Sequence, residues 1–202
     1  MKLSSKCLYM AGAFFLFGSI NLIASEQSAK IILNKAYQYV GNMDKYAFHA
    51  VVLDDDVEDG KLLKQRYRHD ISVKVDRPGK FRVDTKGNIR NRSNYLNNGI
   101  FTMMDHEYKY YGKMKTSKTI DGTLDLIFEK YRIKAPLAQM VYSDMDKRFK
   151  FINSKYFGTM MVDGTECDYV AFSDETAEVH IWIAKGDKPL VKTYTIFDKT
   201  IE

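Results

Sequence analysis

The sequence predicts an α+β protein: a curved antiparallel sheet of about ten strands forming an incomplete (half) β-barrel, covered by an N-terminal helix and a short helical insert. Three observations lead there. One helix-period pattern opens the folded part of the chain, period-two runs broken by short turn signals follow it, and that alternation is interrupted once, at 119–150, by helical spacing. The composition fits an ordinary globular domain, with 45% hydrophobic, 28% charged and 13% aromatic residues and only 3 prolines in 202 residues. That excludes disorder, collagen-like repeats and a multi-pass membrane protein.

The first 25 residues read as an address and not as part of the fold. Lys2 and Lys6 precede an uncharged run from Cys7 to Ser25, and the small residues Ala24 and Ser25 stand before Glu26, which is the three-part pattern of a secretory signal peptide. Gly12, Gly18, Ser19 and Asn21 dilute the run, so cleavage after Ala24 or Ser25 is favoured over a retained anchor, and no transmembrane segment is expected after it. The domain plan is therefore a signal peptide over 1–25 and a single domain over 26–202, exported to the periplasm of a Gram-negative-type envelope. Cys7 lies before the apolar core, which excludes a lipid-modified first residue. Cys167 is then the one cysteine left; lying in the run from Cys167 to Phe172, it is expected to be buried and unpaired.

Apolar residues at 29, 32, 33, 36, 37 and 40 make one face of a helix over 27–40, with Ser25 as its cap and Gly41 as its stop. A first meander over 44–115 begins with two strands. Tyr46, Phe48, Ala50 and Val52 alternate on one, and Tyr67, Ile71, Val73 and Val75 on the next, with His69 on the same parity. A two-residue turn at Asp59-Gly60 would set Phe48 opposite Ile71, Ala50 opposite His69 and His49 opposite Asp70. Turn signals at Pro78-Gly79, Gly87-Asn88, Asn98-Gly99, Asp163-Gly164 and Gly186-Asp187 delimit eight further runs: 80–86, 90–97, 100–105, 108–115, 154–162, 165–173, 177–185 and 189–199. The last four form a second meander over 154–199. Between the meanders lies a helical lid, 119–150, in which Leu124, Ile127, Phe128 and Tyr131 keep helical spacing, Pro136 suits a first turn and Ser143 with Asp146 resembles a capping box. Ile181 and Ile183 are expected inward, with Trp182 outward beneath a helix.

A sheet this wide carries one large apolar face, and the helices must cover it. The barrel interior is expected to be lined by Tyr46, Phe48, Val52, Tyr67, Ile71, Val73, Phe81 and Val83, and by Leu124, Ile127 and Phe128 from the lid. His69 points into the same space, where its ring needs a partner. Together these twelve residues are the candidate site for an apolar ligand.

Nothing in the sequence makes a catalytic signature. His49, His69, His106 and His180 are scattered, with no nucleophile motif beside them and no metal-ligand spacing, so no catalytic residue, metal or cofactor is expected and the protein is read as non-enzymatic. The acidic run Asp54 to Asp59 fails the calcium-loop pattern and reads as a solvated hairpin tip. The basic residues Arg66, Arg68, Arg77, Lys80, Arg82, Arg90 and Arg92 read as a solvated face; anionic lipid headgroups are a better partner for them than nucleic acid, which is not expected in an exported protein. Met103, Met104, Met160 and Met161 would suit an adaptable apolar lining.

The run from Val75 to Asp84 (VDRPGKFRVD), the run from Tyr95 to Asp105 (YLNNGIFTMMD) and Tyr110-Tyr111 resemble the strand-turn-strand pattern of the periplasmic lipoprotein-carrier superfamily of LolA, LolB and RseB. Closer still, 119–125 (TIDGTLD), 135–144 (APLAQMVYSD), 158–172 (GTMMVDGTECDYVAF) and Ile181 to Ile183 resemble an uncharacterised family of predicted periplasmic proteins, over nearly all of the mature chain. The resemblance implies a LolA-like half-barrel with a helical lid over an apolar cavity, and a lipid or lipoprotein as partner, or alternatively an envelope protein. Members of that family continue past the equivalent of Phe197, so either the chain is truncated here or the barrel lacks an edge, which would leave an exposed strand near the C-terminus. No contact residue of the carriers can be equated with a position here.

Overall fold

The computed structural model describes residues 17–58, 62–133 and 135–200. A long helix α1 (Phe17–Gly41) leads into six consecutive strands: β1 (Lys45–Glu58), β2 (Leu62–Asp76), β3 (Lys80–Gly87), β4 (Asn91–Asn97), β5 (Ile100–Asp105) and β6 (Tyr110–Lys115). The insert holds α2 (Ile120–Tyr131), a 3-10 turn (Pro136–Met140) and a single-turn α3 (Met145–Arg148). Four strands close the chain: β7 (Asn153–Val162), β8 (Thr165–Ser173), β9 (Ala177–Ala184) and β10 (Val191–Asp198). Every ladder is antiparallel.

The ten strands form two sheets, not one. β1 to β6 lie in sequence order in a six-stranded sheet, and β10-β9-β8-β7 make a four-stranded one. The predicted continuous half-barrel is corrected on this point: β6 and β7 do not pair, and neither sheet closes. The insert falls at that junction, and a wide sheet relieves its twist by splitting. Among the described residues β10 and β7 are the edge strands of the four-stranded sheet.

Each sheet has its own core. Ala29, Leu33, Ala36 and Tyr37 on one face of α1 pack on Val170, Phe172, Val179, Ile181 and Ile183 of the four-stranded sheet. The other core joins Val73, Val75, Phe81 and Leu96 of the six-stranded sheet to Ile120 and Val141 of the insert. α1 thus covers the four-stranded sheet and α2 the six-stranded one, while Met140, Met145 and Phe149 of the insert pack against the α1 core, where a single shared trough was expected. Ser25 does not cap α1: the helix passes through it, and its Oγ donates to the Tyr156 carbonyl and accepts from the Tyr156 N–H, each at 3.1 Å, pinning α1 to β7. Gly41 ends the helix where the insert comes closest, since a Cβ there would stand 2.3 Å from the Ser143 carbonyl oxygen.

The first hairpin is two residues out of the predicted register. Phe48 pairs with Val73, His49 with Ser72, Ala50 with Ile71 and Val52 with His69. Asp59-Gly60 lies outside the described residues, but Glu58 pairs with Leu62, which makes the connection three residues long, and a bulge adds Lys64 on β2. The two extra residues shift the register by two and leave the inward parity unchanged. Asn98-Gly99 and Asp163-Gly164 have positive φ at both positions (46° and 91°, 45° and 74°), the geometry of tight type I′ hairpins.

Candidate functional site

The inner face of the six-stranded sheet can be read row by row from its register. Tyr46, Val75, Phe81, Leu96 and Phe101 form one row nearest α2, and Phe48, Val73, Val83, Asn94 and Met103 the next. Further out come Ala50, Ile71, Thr85, Arg92 and Asp105, then Val52 beside His69 and Gly87. The face therefore grades from apolar to polar along the strands. Val73, Val75, Phe81 and Leu96 are buried, whereas Tyr46, Phe48, Ile71, Val83 and Phe101 are half-buried.

The lid meets this face through the start of α2. Thr119 caps the helix by accepting from the Gly122 N–H at 3.2 Å, and Ile120 N–H donates to the Pro78 carbonyl at 2.7 Å. Ile120 and Thr123 are buried and Leu124 packs on the core. Ile127 is half-buried, but Phe128 and Tyr131 are about half exposed, so the apolar stripe expected from Leu124 onward is turned by its packing at Ile120 and leaves Phe128 at the surface.

Polar ties hold the lid down. Tyr46 Oη donates to the Met140 carbonyl at 2.7 Å and accepts from Arg77 Nη2 at 3.1 Å; burial pushes its phenol up to about 12 against the lowering effect of Arg77. Arg148 donates from Nε to Asp144 Oδ1 (2.5 Å) and from Nη1 to Asp125 Oδ1 (2.7 Å), and its guanidinium lies 4.3 Å from the Tyr142 ring centroid. The Asp144 and Asp125 bonds raise the Arg148 pKa above that of an ordinary arginine. Ser143 Oγ bonds Asp121 of α2 and does not cap α3, whose N-cap is Asp144, so the predicted capping box is not formed.

His69 is the outlier. It is 4% exposed, and neither Nδ1 nor Nε2 has a hydrogen-bond partner; they are the only buried side-chain N or O atoms so placed among the described residues. A buried polar group left unpaired costs about 1–3 kcal/mol. The partner that parity demanded for this ring is not supplied by Tyr67, whose hydroxyl donates to Gln65 at 3.1 Å.

The outer face carries a constellation that sequence reasoning missed. His49, Ser72, Asp84, Ser93 and Met104 lie in one cross-strand row, and His106 folds back beside it. Buried Ser93 donates to Asp84 Oδ1 at 2.6 Å and lies 2.8 Å from His106 Nε2. Burial pushes the Asp84 carboxyl up, but hydrogen bonds from Arg82 and Ser93 outweigh it and hold the pKa below the usual range. An ionised Asp84 takes the single Ser93 proton, which leaves Oγ to accept from His106. A concavity of about 390 Å³ lies over this row, and a second of about 270 Å³ is lined by Ser25, Ser154 and Phe157 among others. The predicted apolar lining residues line neither. A signal existed in the outward parity of five strands, but it could be assembled only with the register known.

The basic residues of the first meander are largely paired within the sheet. Arg66 bonds Asp55, Arg68 bonds Asp70, Arg82 bonds Asp84 and Arg92 bonds the buried Asp105. Ile181 and Ile183 are inward and buried, with Trp182 outward. No described helix covers it: Trp182 stacks on Tyr169 (4.6 Å, 7°), which stacks on Phe157 (4.5 Å, 18°), with Phe157 and Phe197 about half exposed. Cys167 is free and buried, and burial raises its thiol pKa. No described helix is long and apolar enough to cross a membrane, and the described residues hold no cluster of His, Cys, Asp and Glu fit for a metal ion.

Fold and site thus define a two-sheet antiparallel protein with a helical lid tied over one apolar sheet face. Residues 29–202 match the model of the family described as "Predicted periplasmic protein (DUF2092)". This chain belongs to that family, and its compartment is the periplasm. No curated protein sequence matches it. Among solved structures it has a likeness to LprF from Mycobacterium bovis, at 11% identity and a TM-score of 0.47, covering 87% of this chain and 89% of that one.

Proposed function

We propose that this periplasmic protein is non-enzymatic and binds the acyl chain of a lipid, or of a lipidated partner, on the inner face of β1–β6 beneath α2, as a carrier, chaperone or envelope sensor. The leader, residues 1–25, is removed on export. The observation that carries the reading is an apolar block only partly covered: Ile120 and Val141 close over Val73 and Phe81, while Phe48, Ile71 and Val83 on neighbouring positions stay half-buried. Apolar surface left part-covered under a tied lid is stabilised by a hydrocarbon chain at roughly 25 cal/mol per Å² removed from water. Native mass spectrometry of protein purified from its own envelope tests the idea. A lipid adduct, or uptake of added phospholipid, is expected; a clean mass with no uptake overturns it.

A second reading, an assembly module without a small ligand, is favoured by the outward aromatic row Phe157, Tyr169 and Trp182 on the opposite sheet, half-buried but for the exposed Phe157. Co-purification of an envelope protein lost on Phe157→Ala, with no lipid bound, would decide for it.

A further inference from the structure

His69 stands where the inner face of the six-stranded sheet passes from apolar to polar. Towards α2 lie Ile71, Val73 and Val75; on the adjoining row, Thr85 and Arg92 share the face. Six residues separate His69 from Val75, so the apolar track along β2 is about 20 Å long, which suits a long acyl chain lying along the strand. The ring itself has both nitrogens unpartnered and is closed off from solvent. Packing alone does not explain it, because an apolar ring would fill the same space without burying two polar atoms.

We propose that the ligand is a long-chain fatty acid, with its hydrocarbon tail beneath α2 over the half-buried Phe48, Ile71 and Val83 and its carboxylate accepting a hydrogen bond from the His69 imidazole. This rests on the lipid-binding reading and names the ligand class for that site. A carboxylate matches a ring N–H donor with a charge-assisted bond and is the smallest anionic head an acyl chain carries. The ring fits against β3 because position 87 is glycine, where a Cβ would stand 2.5 Å from Nδ1. The side chains over the ring must move aside for entry, and ligand exchange is accordingly slow.

The test uses delipidated mature protein titrated calorimetrically with hexadecanoate and with methyl hexadecanoate, in the wild type and in His69→Phe and His69→Leu. The wild type is expected to bind the acid at least about tenfold more tightly than the ester, and both variants to lose most of that preference while ester affinity is unchanged. The thermal midpoint of His69→Phe should equal or exceed that of the wild type, because the unpaired nitrogens are gone. Equal binding of acid and ester by the wild type, or an acid preference retained in either variant that folds, overturns the role of His69 and leaves lipid binding standing. Failure of the wild type to bind either probe overturns both.

Discussion

His69 lies opposite Gly87 across the β2–β3 ladder, and the missing side chain of Gly87 gives the imidazole its seat. A Cβ at position 87 would meet the Arg68 carbonyl oxygen at 2.3 Å and His69 Nδ1 at 2.5 Å. Gly87→Ala is therefore expected to destabilise the protein by about 1–3 kcal/mol in urea titration. Adding His69→Ala should recover only part of that loss, since the Arg68 backbone stays in place. Full recovery would mean that the ring alone sets the spacing of the two strands.

Arg148 ties two elements of the lid to each other through Asp144 and Asp125. Lysine cannot reproduce a fork that serves two carboxylates and stacks on a ring. Arg148→Lys should cost about 1–2 kcal/mol, less than a fully buried pair because a third of the side chain meets water. Faster amide hydrogen exchange over 120–131, with β7 to β10 unchanged, is the signature to look for.

The two cores share no residue, so damage to one should not depend on the state of the other. Ile181→Ala and Leu96→Ala are each expected to cost about 2–5 kcal/mol. The double variant should lose the sum to within about 0.5 kcal/mol. A large coupling in the cycle would show that the sheets stabilise each other across the insert.

Asp105 accepts from the N–H groups of Tyr108 and Glu107 and pairs with Arg92. The Tyr108 bond foremost, then Arg92, hold its carboxyl below the usual range. A depressed carboxylate stabilises the fold above its unfolded pKa of about 3.9, and that contribution fades as pH falls through the folded value. Asp105→Asn should thus be less stable than the wild type at neutral pH, and the gap should shrink below about pH 4. Denaturant titrations at pH 7 and pH 3 compare the two, and a gap that widens in acid would refute the assignment.

What could be read from the chain beforehand follows from what period two encodes. Alternation gave all ten strands and put His69, Ile181 and Ile183 inward, because facing depends only on local parity. Register was beyond it: the bulge at Lys64 and the three-residue connection together shift the hairpin below the bulge by two and leave Tyr46 to Val52 and Tyr67 to Val75 on their expected faces. The division into two sheets was equally hidden, since β6 and β7 alternate in the same way whether or not they pair. The row from His49 to His106 needed four registers at once. The face of α2 was misjudged because Ile120, at its first position, packs in the core and leaves Phe128 outside.

Trp182 separates the two functional readings, because it is the only tryptophan and stands on the outer face of the four-stranded sheet, away from the inner face of β1–β6. Its indole N–H points at the Met160 sulfur (2.6 Å) and its ring stacks on Tyr169, so its emission reports on that face. A fatty acid bound under α2 should leave the emission maximum and acrylamide quenching unchanged. A partner docking on Phe157 and Tyr169 should exclude quencher and shift the emission to shorter wavelength. If saturating hexadecanoate protects Trp182, the acyl site lies on the four-stranded sheet and the assignment to β1–β6 is wrong; a Phe48→Trp probe in a Trp182→Phe background should in that case stay silent, whereas it should respond if the inner face of β1–β6 holds the chain.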